Sequence, residues 1–446
     1  MKHTRPISPS LLGATLFATA LLIGCGSDGT DGDMVPTAST ELEIAAPADL
    51  GMSVEALDEL TSTLQGYVEA DRLAGGVAVV LRDGKVAYAQ AVGSRDLESG
   101  DPMRTDALFR IASQSKAIIS VAVMMLRDEG ALALTDPVSR HLASWSATSV
   151  GAEVTDDGVQ IEPADRAITI HDLLTHTAGI GYGYGAASQQ WESAGIQGWY
   201  FAHLEEPVRS TIDRMAELPM DAQPGTRFVY GYNTDILGAV VEAASGMSLD
   251  AFVQERILDP LEMVDTHFYV PPEKRDRLAA VYNQNEDRTV ARAPDGPGMQ
   301  TQGQYVDGPR MSFSGGAGLV STARDYARFL QMLLDGGSLG SVRILAEASV
   351  DEMTRNQSGA LFTQQSPGMG FGLGFAIRMD AAAAGIPGSV GEFGWGGAYH
   401  STYWVDPAEG LVVVYLTQLI PATGIDDHAR VREQVYASIA ESRRSQ

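Results

Sequence analysis

The sequence predicts an α/β protein of the α+β kind: one antiparallel sheet built from both termini, flanked by helices, with a mostly helical domain inserted between its halves. Three observations carry this. GGVAVVLRDGKVAYAQAVG (residues 75–93) holds two β-rich runs around Asp83-Gly84, a two-residue hairpin signal that makes the strands antiparallel. Comparable runs return only near the other end, as GLGFAI, STYWVDP and LVVVYLTQ. Between them, from Leu132 to Phe313, short helical patterns alternate with Gly/Pro/Asp loops. Strands at both ends with helices between them suggest one sheet closed by the two termini, with 53–131 and 314–446 as the sheet domain and 132–313 as the helical one.

The first 24 residues read as a signal peptide. Lys2 and Arg5 precede an apolar run from Leu11 to Gly24, shorter than the ~20 residues a membrane-spanning helix needs. The run ends in Leu22-Ile23-Gly24-Cys25, which resembles a bacterial lipobox and implies lipid attachment at Cys25 and a place in the bacterial cell envelope. Cys25 is the only cysteine, so the chain forms no internal disulfide and no cysteine metal cluster. Residues 25–52 are rich in Gly, Ser, Thr and Asp without an apolar period, and are expected to be a flexible acidic tether.

Folded structure is expected from Ser53. Val54, Leu57, Leu60, Leu64, Tyr67 and Val68 follow it at helical spacing, with Ser53 as the cap. A second helix is expected from about Ser113 to Asp128, stopped by Gly130. In the middle region Thr169 and Asp172 stand at capping-box spacing, and Asn233 to Ala244 repeats apolar residues at helical spacing. Gly181 to Tyr200, rich in Gly, Tyr and Trp, has no period and fits a cleft rim or a surface loop. STARDYARFLQMLLDGG (residues 321–337) is a capped amphipathic helix with a glycine stop, and Asp426 to Arg443 is expected to be a closing helix.

Hydrophobic residues at 44% and charged residues at 20% are the balance of a folded globular chain. A net charge of −26 disfavours nucleic acid and anionic lipid as partners. Histidines are scattered, without an H-E-x-x-H pattern, and no P-loop or dinucleotide fingerprint appears. No metal or cofactor is implied. His171 and His176 are five apart, poor for one helical face, and read as structural; His400 stands near a strand and fits either a substrate contact or an exposed position.

The chemistry concentrates in FRIASQSKAIIS (residues 109–120). The chain has four lysines, and one of them, Lys116, stands three residues after Ser113 where an apolar helical pattern begins. Residues three apart share a helical face. A serine hydroxyl needs a base to become a nucleophile, and lysine serves as one only in a sheltered site. Arginine supplies nearly all the other positive charge and cannot act as a base near neutrality. Ser113 and Lys116 are therefore the candidate nucleophile and base.

LFRIASQSKAIISVAVMML resembles the active-site helix of the penicillin-recognising serine hydrolases, a group of class C β-lactamases, DD-peptidases and family VIII carboxylesterases. LLTHTAGIGYGYG, PGTRFVYGYNTDILGAVVEAASG and GEFGWGGAYHSTYWVDP follow in the order that family uses. The resemblance implies a β-lactamase/transpeptidase-like fold with the site between sheet and helical parts. It also implies a third catalytic residue, Tyr230, passing protons between Ser113, Lys116 and the leaving group. The register of Phe228, Tyr230, Asp235, Leu237 and Gly238 favours Tyr230 over Tyr232. On the cleft strand, lactamases and peptidases of this group carry Lys-Thr-Gly, whereas here Trp395-Gly396-Gly397 stands, the form seen in family VIII esterases. Glycines let substrate approach the backbone, the amides of Ser113 and Ala398 are the implied oxyanion hole, and Trp395 offers apolar surface in place of charge. The implied substrate is a small-molecule ester or amide, with neutral esters ahead of anionic β-lactams. A β-lactamase or D-amino-acid peptidase is the nearest rival; a non-catalytic binding protein or sensor on the same fold is the rival of another class. Gly336–Gly340 fits the nucleophile-elbow pattern G-x-S-x-G, but its Ser338 follows a helix instead of a strand, so it reads as a turn residue.

Overall fold

The hairpin signal at Asp83-Gly84 forms as read: both residues have positive φ (54° and 75°), the backbone that a tight two-residue turn demands. In chain order, the computed structural model describes residues 40–155, 158–440 and 442. Helix α1 (Val54–Glu69) starts on the Ser53 hydroxyl, which accepts from the Ala56 amide at 3.2 Å. Strands β1 (Gly75–Arg82), β2 (Lys85–Asp96) and β3 (Asp101–Pro102) follow. Helix α2 (Ser115–Asp128) comes next, then α3 (Asn233–Ser245) and α4 (Ala323–Leu334). The chain closes with β4 (Met369–Phe371), β5 (Ala376–Arg378), β6 (Phe393–Gly397), β7 (Ser401–Asp406), β8 (Leu411–Thr417) and helix α5 (Asp427–Ala437).

The eight strands form one antiparallel sheet in the order β4-β5-β6-β7-β8-β1-β2-β3. The first and last thirds of the chain meet at its centre, where β1 pairs with β8 and Val79 lies opposite Val414. All eight residues of β1 are buried. Its period-2 alternation explains why: Val77, Val79 and Leu81 pack on one face with α2 and α4, while Ala78 and Val80 pack on the other with Leu57, Leu60, Leu64, Val431 and Val435 of α1 and α5. Each of the valine and leucine side chains contributes roughly 1.5–3 kcal/mol when fully buried. The core on the α2 face runs on without a break into the helical region, taking in Ile236, Leu237 and Val240 of α3.

Two expectations are corrected. The tether was expected to extend to residue 52, yet Leu42 and Met52 are buried, Ile44 bridges to Val86, Met52 bridges to Ile439, and Pro47–Leu50 forms a 3-10 turn. Isolated apolar residues anchor this stretch to the sheet without leaving a period to read. The middle region, read as helices and loops, also carries two hairpins, Ser149–Thr155 with Gly158–Pro163 and Tyr282–Gln284 with Val290–Arg292. The signal segment 1–24, Cys25 and the start of the tether lie outside the described residues. Among the described residues no single helix is long and apolar enough to cross a membrane.

Candidate active site

The α-helix begins at Ser115, two residues later than expected; Ser113 sits in a 3-10 turn, Ala112–Gln114, that leads into it. Ala112 has φ +43°, a conformation uncommon for a residue with a side chain, and it is fully buried. This turn delivers Ser113 into a cavity of about 660 Å³, lined also by Tyr182, Tyr230, Trp395, Gly397 and Ala398.

Lys116 lies directly beneath. Its Nζ donates to Ser113 Oγ at 3.3 Å, to Tyr182 Oη at 3.1 Å and to the Gly316 carbonyl at 2.8 Å, and the residue is 2% exposed. None of the three acceptors is a carboxylate. The amine is thus held by neutral oxygens within reach of the serine hydroxyl, whose proton it can accept once it has given up one of its own.

Tyr230 enters differently from the sequence expectation. Its ring, not its hydroxyl, faces the amine, with Lys116 Nζ 4.7 Å from the ring centroid. Its Oη accepts from Trp395 Nε1 at 3.0 Å. The phenol bonded to the amine is that of Tyr182, which packs edge-on against Tyr230. Burial, followed by the neighbouring Tyr230, Asp235 and Tyr232, pushes the Tyr182 phenol well above its ordinary pKa, so it stays a proton donor. Tyr182 was missed. The only signal was its place in the glycine-flanked run GIGYGYG, which says nothing about a meeting with a lysine 66 positions earlier.

Tyr232 is a core residue: fully buried, donating to the Gly198 carbonyl at 2.5 Å and stacked on Trp191. Asn233 Nδ2 bonds His176 Nδ1, the Ile180 carbonyl and the Val229 carbonyl, tying the segments that carry Tyr182 and Tyr230 to each other. His176, buried under the Tyr230 ring at 4.7 Å, has its pKa driven well below the usual value by burial and then by the Lys116 charge. It acts as a neutral acceptor in that frame.

On the cleft strand the glycines have a steric cause. A Cβ on Gly397 would stand 2.5 Å from the Ile111 carbonyl and 2.6 Å from Ser401 Oγ. Only glycine lets β6 lie this close to the turn that carries Ser113. Gly396, the alternate residue of the strand, lines the cavity with Ala398. Trp395 is half-buried, edge-on to Phe371, and turns its indole towards Tyr230. His400 lies in the β6–β7 turn at φ +58°, lines the same cavity, and bonds Asp427 at 2.7 Å while stacking on His428. His171 lies in the short helix Ile170–Leu174, whose Thr169/Asp172 capping box forms as expected. Ser338 stands in a two-strand turn after α4, bonded to the Asp335 carbonyl, as its sequence context indicated.

The Beta-lactamase family model matches residues 60–436. Esterase EstB of Burkholderia gladioli is 35% identical over 359 residues, covering 78% of this chain and 86% of that protein. Lovastatin esterase of Penicillium rubens is 28% identical over 397 residues, 82% and 94% of the two chains. Among solved structures, EstCE1, described as a hydrolase with promiscuous acyltransferase activity, superposes with a TM-score of 0.74 at 29% identity, covering 86% of this chain and 99% of that one. The match spans both halves of the sheet and the helical region between them, and on that extent the chain belongs to the beta-lactamase family.

Proposed function

We propose that this chain is a serine hydrolase that cleaves small carboxylic esters through an acyl-enzyme on Ser113. The carrying observation is the Lys116 amine, buried and 3.3 Å from Ser113 Oγ. Lys116 takes the hydroxyl proton as Oγ attacks the ester carbonyl. The oxyanion forms against the backbone amides of Ser113 and Ala398, both on the cavity wall. The proton returns to the departing alkoxide through the Tyr182 phenol bonded to the amine and then the Tyr230 phenol packed against Tyr182. Water then attacks the acyl group by the same route in reverse and frees Ser113. Relatives named as esterases support the ester reading. The Trp395-Gly396-Gly397 strand supports it too, because it offers an apolar wall where a cation would favour anionic β-lactams.

Ser113→Ala and Lys116→Ala are each expected to abolish p-nitrophenyl butyrate turnover with native circular dichroism, and mass spectrometry of a trapped acyl-enzyme is expected to place the adduct on Ser113. Full turnover by either variant removes that residue from the mechanism. Nitrocefin hydrolysis faster than ester hydrolysis would favour the β-lactamase reading, and the lack of any covalent adduct would favour a binding protein.

The lipobox-like Leu22–Cys25 supports an envelope protein anchored by lipid at Cys25. Expressed in a bacterium, the chain is expected in the membrane fraction with an acylated N-terminal Cys25, and Cys25→Ala is expected in the soluble fraction. An unmodified wild-type Cys25 overturns this reading.

A further inference from the structure

Asp235 is a motif residue to which the mechanism above gives no part. It lies in the first turn of α3, is 1% exposed, and bonds away from its own helix. Its Oδ1 accepts from Ser314 Oγ at 2.6 Å and from the Gly316 amide at 3.0 Å. Gly316 then turns its carbonyl to Lys116 Nζ at 2.8 Å. A Cβ on Gly316 would meet Asp235 Oδ2 at 2.3 Å, and one on Gly315 would meet the Thr234 carbonyl at 2.6 Å, so this glycine turn is fitted to the start of α3. Among the described residues, Asp235 Oδ2 is buried without a hydrogen-bond partner. A buried carboxyl with a free oxygen is costly unless a positive charge faces it or a proton neutralises it.

We propose that Asp235 is the positioning residue of the general base: it holds the Ser314–Gly316 turn whose carbonyl steers the Lys116 amine, and it stands one hydrogen-bonded residue away from that amine. The inference rests on Ser113 and Lys116 acting as proposed above. Burial raises the Asp235 pKa, and the Lys116 charge, the Ser314 hydroxyl and the Gly316 amide work against that rise. Among the described residues, the other titratable groups packed around the pair are Tyr182, Tyr230, Tyr232 and His176. Burial keeps Tyr182, Tyr232 and His176 neutral across the neutral range, leaving Asp235 as the carboxyl whose ionisation bears on the amine. A carboxylate facing an amine favours the charged amine, which cannot take the serine proton; the neutral carboxyl releases it. Asp235 thereby shapes the acid side of the activity profile as well as the aim of the amine.

The test is the rate at which a fluorophosphonate probe inactivates the enzyme between pH 5 and 9, with the labelled residue identified by mass spectrometry. Asp235→Asn keeps an acceptor for Ser314 and Gly316 but removes the charge. Its plateau rate is expected within about threefold of wild type, with the acid limb moved about one pH unit lower. Ser314→Ala removes a donor that favours the carboxylate, and is expected to move the limb the same way by less. Asp235→Ala also loses the acceptor and is expected to lower the plateau at least tenfold; should it fail to fold, the other two variants still decide. A purely structural Asp235 predicts an Asp235→Asn profile superposed on wild type, and that result overturns the proposal. A wild type that takes no label at Ser113 removes the nucleophile reading first and this inference with it, whereas a labelled wild type with unmoved variants removes this inference alone.

Discussion

Lys116 has two phenols beside it, and they do different work. Tyr182 bonds the amine directly, while Tyr230 covers it with its ring and takes a hydrogen bond from Trp395. Tyr182→Phe is therefore expected to lower kcat for p-nitrophenyl butyrate by about 10²-fold with KM changed little, since it removes a proton carrier and leaves the cavity shape intact. Trp395→Phe, which keeps an aromatic wall but loses the indole donor to Tyr230, is expected to cost about tenfold. Steady-state kinetics checks both, and a Tyr182→Phe enzyme with wild-type kcat would return the whole proton route to Tyr230. Ser113 and Lys116 were legible in the sequence because three residues of helical rise bring them together whatever the rest of the chain does. Tyr182 was not legible, because its contact spans 66 positions and depends on how two loops are tied through Asn233 and His176.

At the scale of elements, the site is a meeting of a turn, a helix start and a strand end. Strand β6 pairs with β5 through Phe393 and Gly394, which leaves Trp395 to Gly397 without a strand partner on that side among the described residues. All three line the cavity. Gly397→Ala forces β6 away from the Ile111 carbonyl by several tenths of an ångström or more. Its kcat/KM is expected to fall at least 10²-fold through displacement of the Ala398 amide. Circular dichroism is expected to stay native, because β6 remains paired to β7 along its length. Capped helices such as α1 and α4 were legible, since Ser53 and Thr322 bond amides three residues on. The hairpin Ser149–Thr155/Gly158–Pro163 was not, because much of Gly158–Pro163 is exposed and offers no alternating apolar face.

At the scale of the molecule, the last helix closes the far face of the sheet. Its Arg432 shares Glu392 with the fully buried Arg378, and Tyr436 bonds the same carboxylate. His428 on that helix packs against His400 of the active-site hairpin, and burial followed by the His400 charge pushes its pKa down to about 4. An unfolded histidine titrates near 6.5. Between pH 6.5 and 4 the unfolded chain thus binds more protons than the folded one, so stability falls as pH drops through that window, by up to about 3 kcal/mol from this group. His428→Gln is expected to flatten that part of the stability–pH curve in urea melts, and an unchanged slope would place the acid sensitivity elsewhere.

What the sequence determined by itself is what short range fixes: the helix caps, the Asp83-Gly84 turn, the alternation of β1, and the one-turn spacing of Ser113 and Lys116. It also indicated that both ends of the chain build one sheet, since its long β-rich runs stand there. Tertiary structure alone decided which phenol meets the amine, that Asp235 reaches Lys116 through Gly316, and that residues 40–52 lie against the sheet. Those outcomes depend on contacts between distant segments, where the free energy comes from burial and hydrogen bonds that no local pattern encodes.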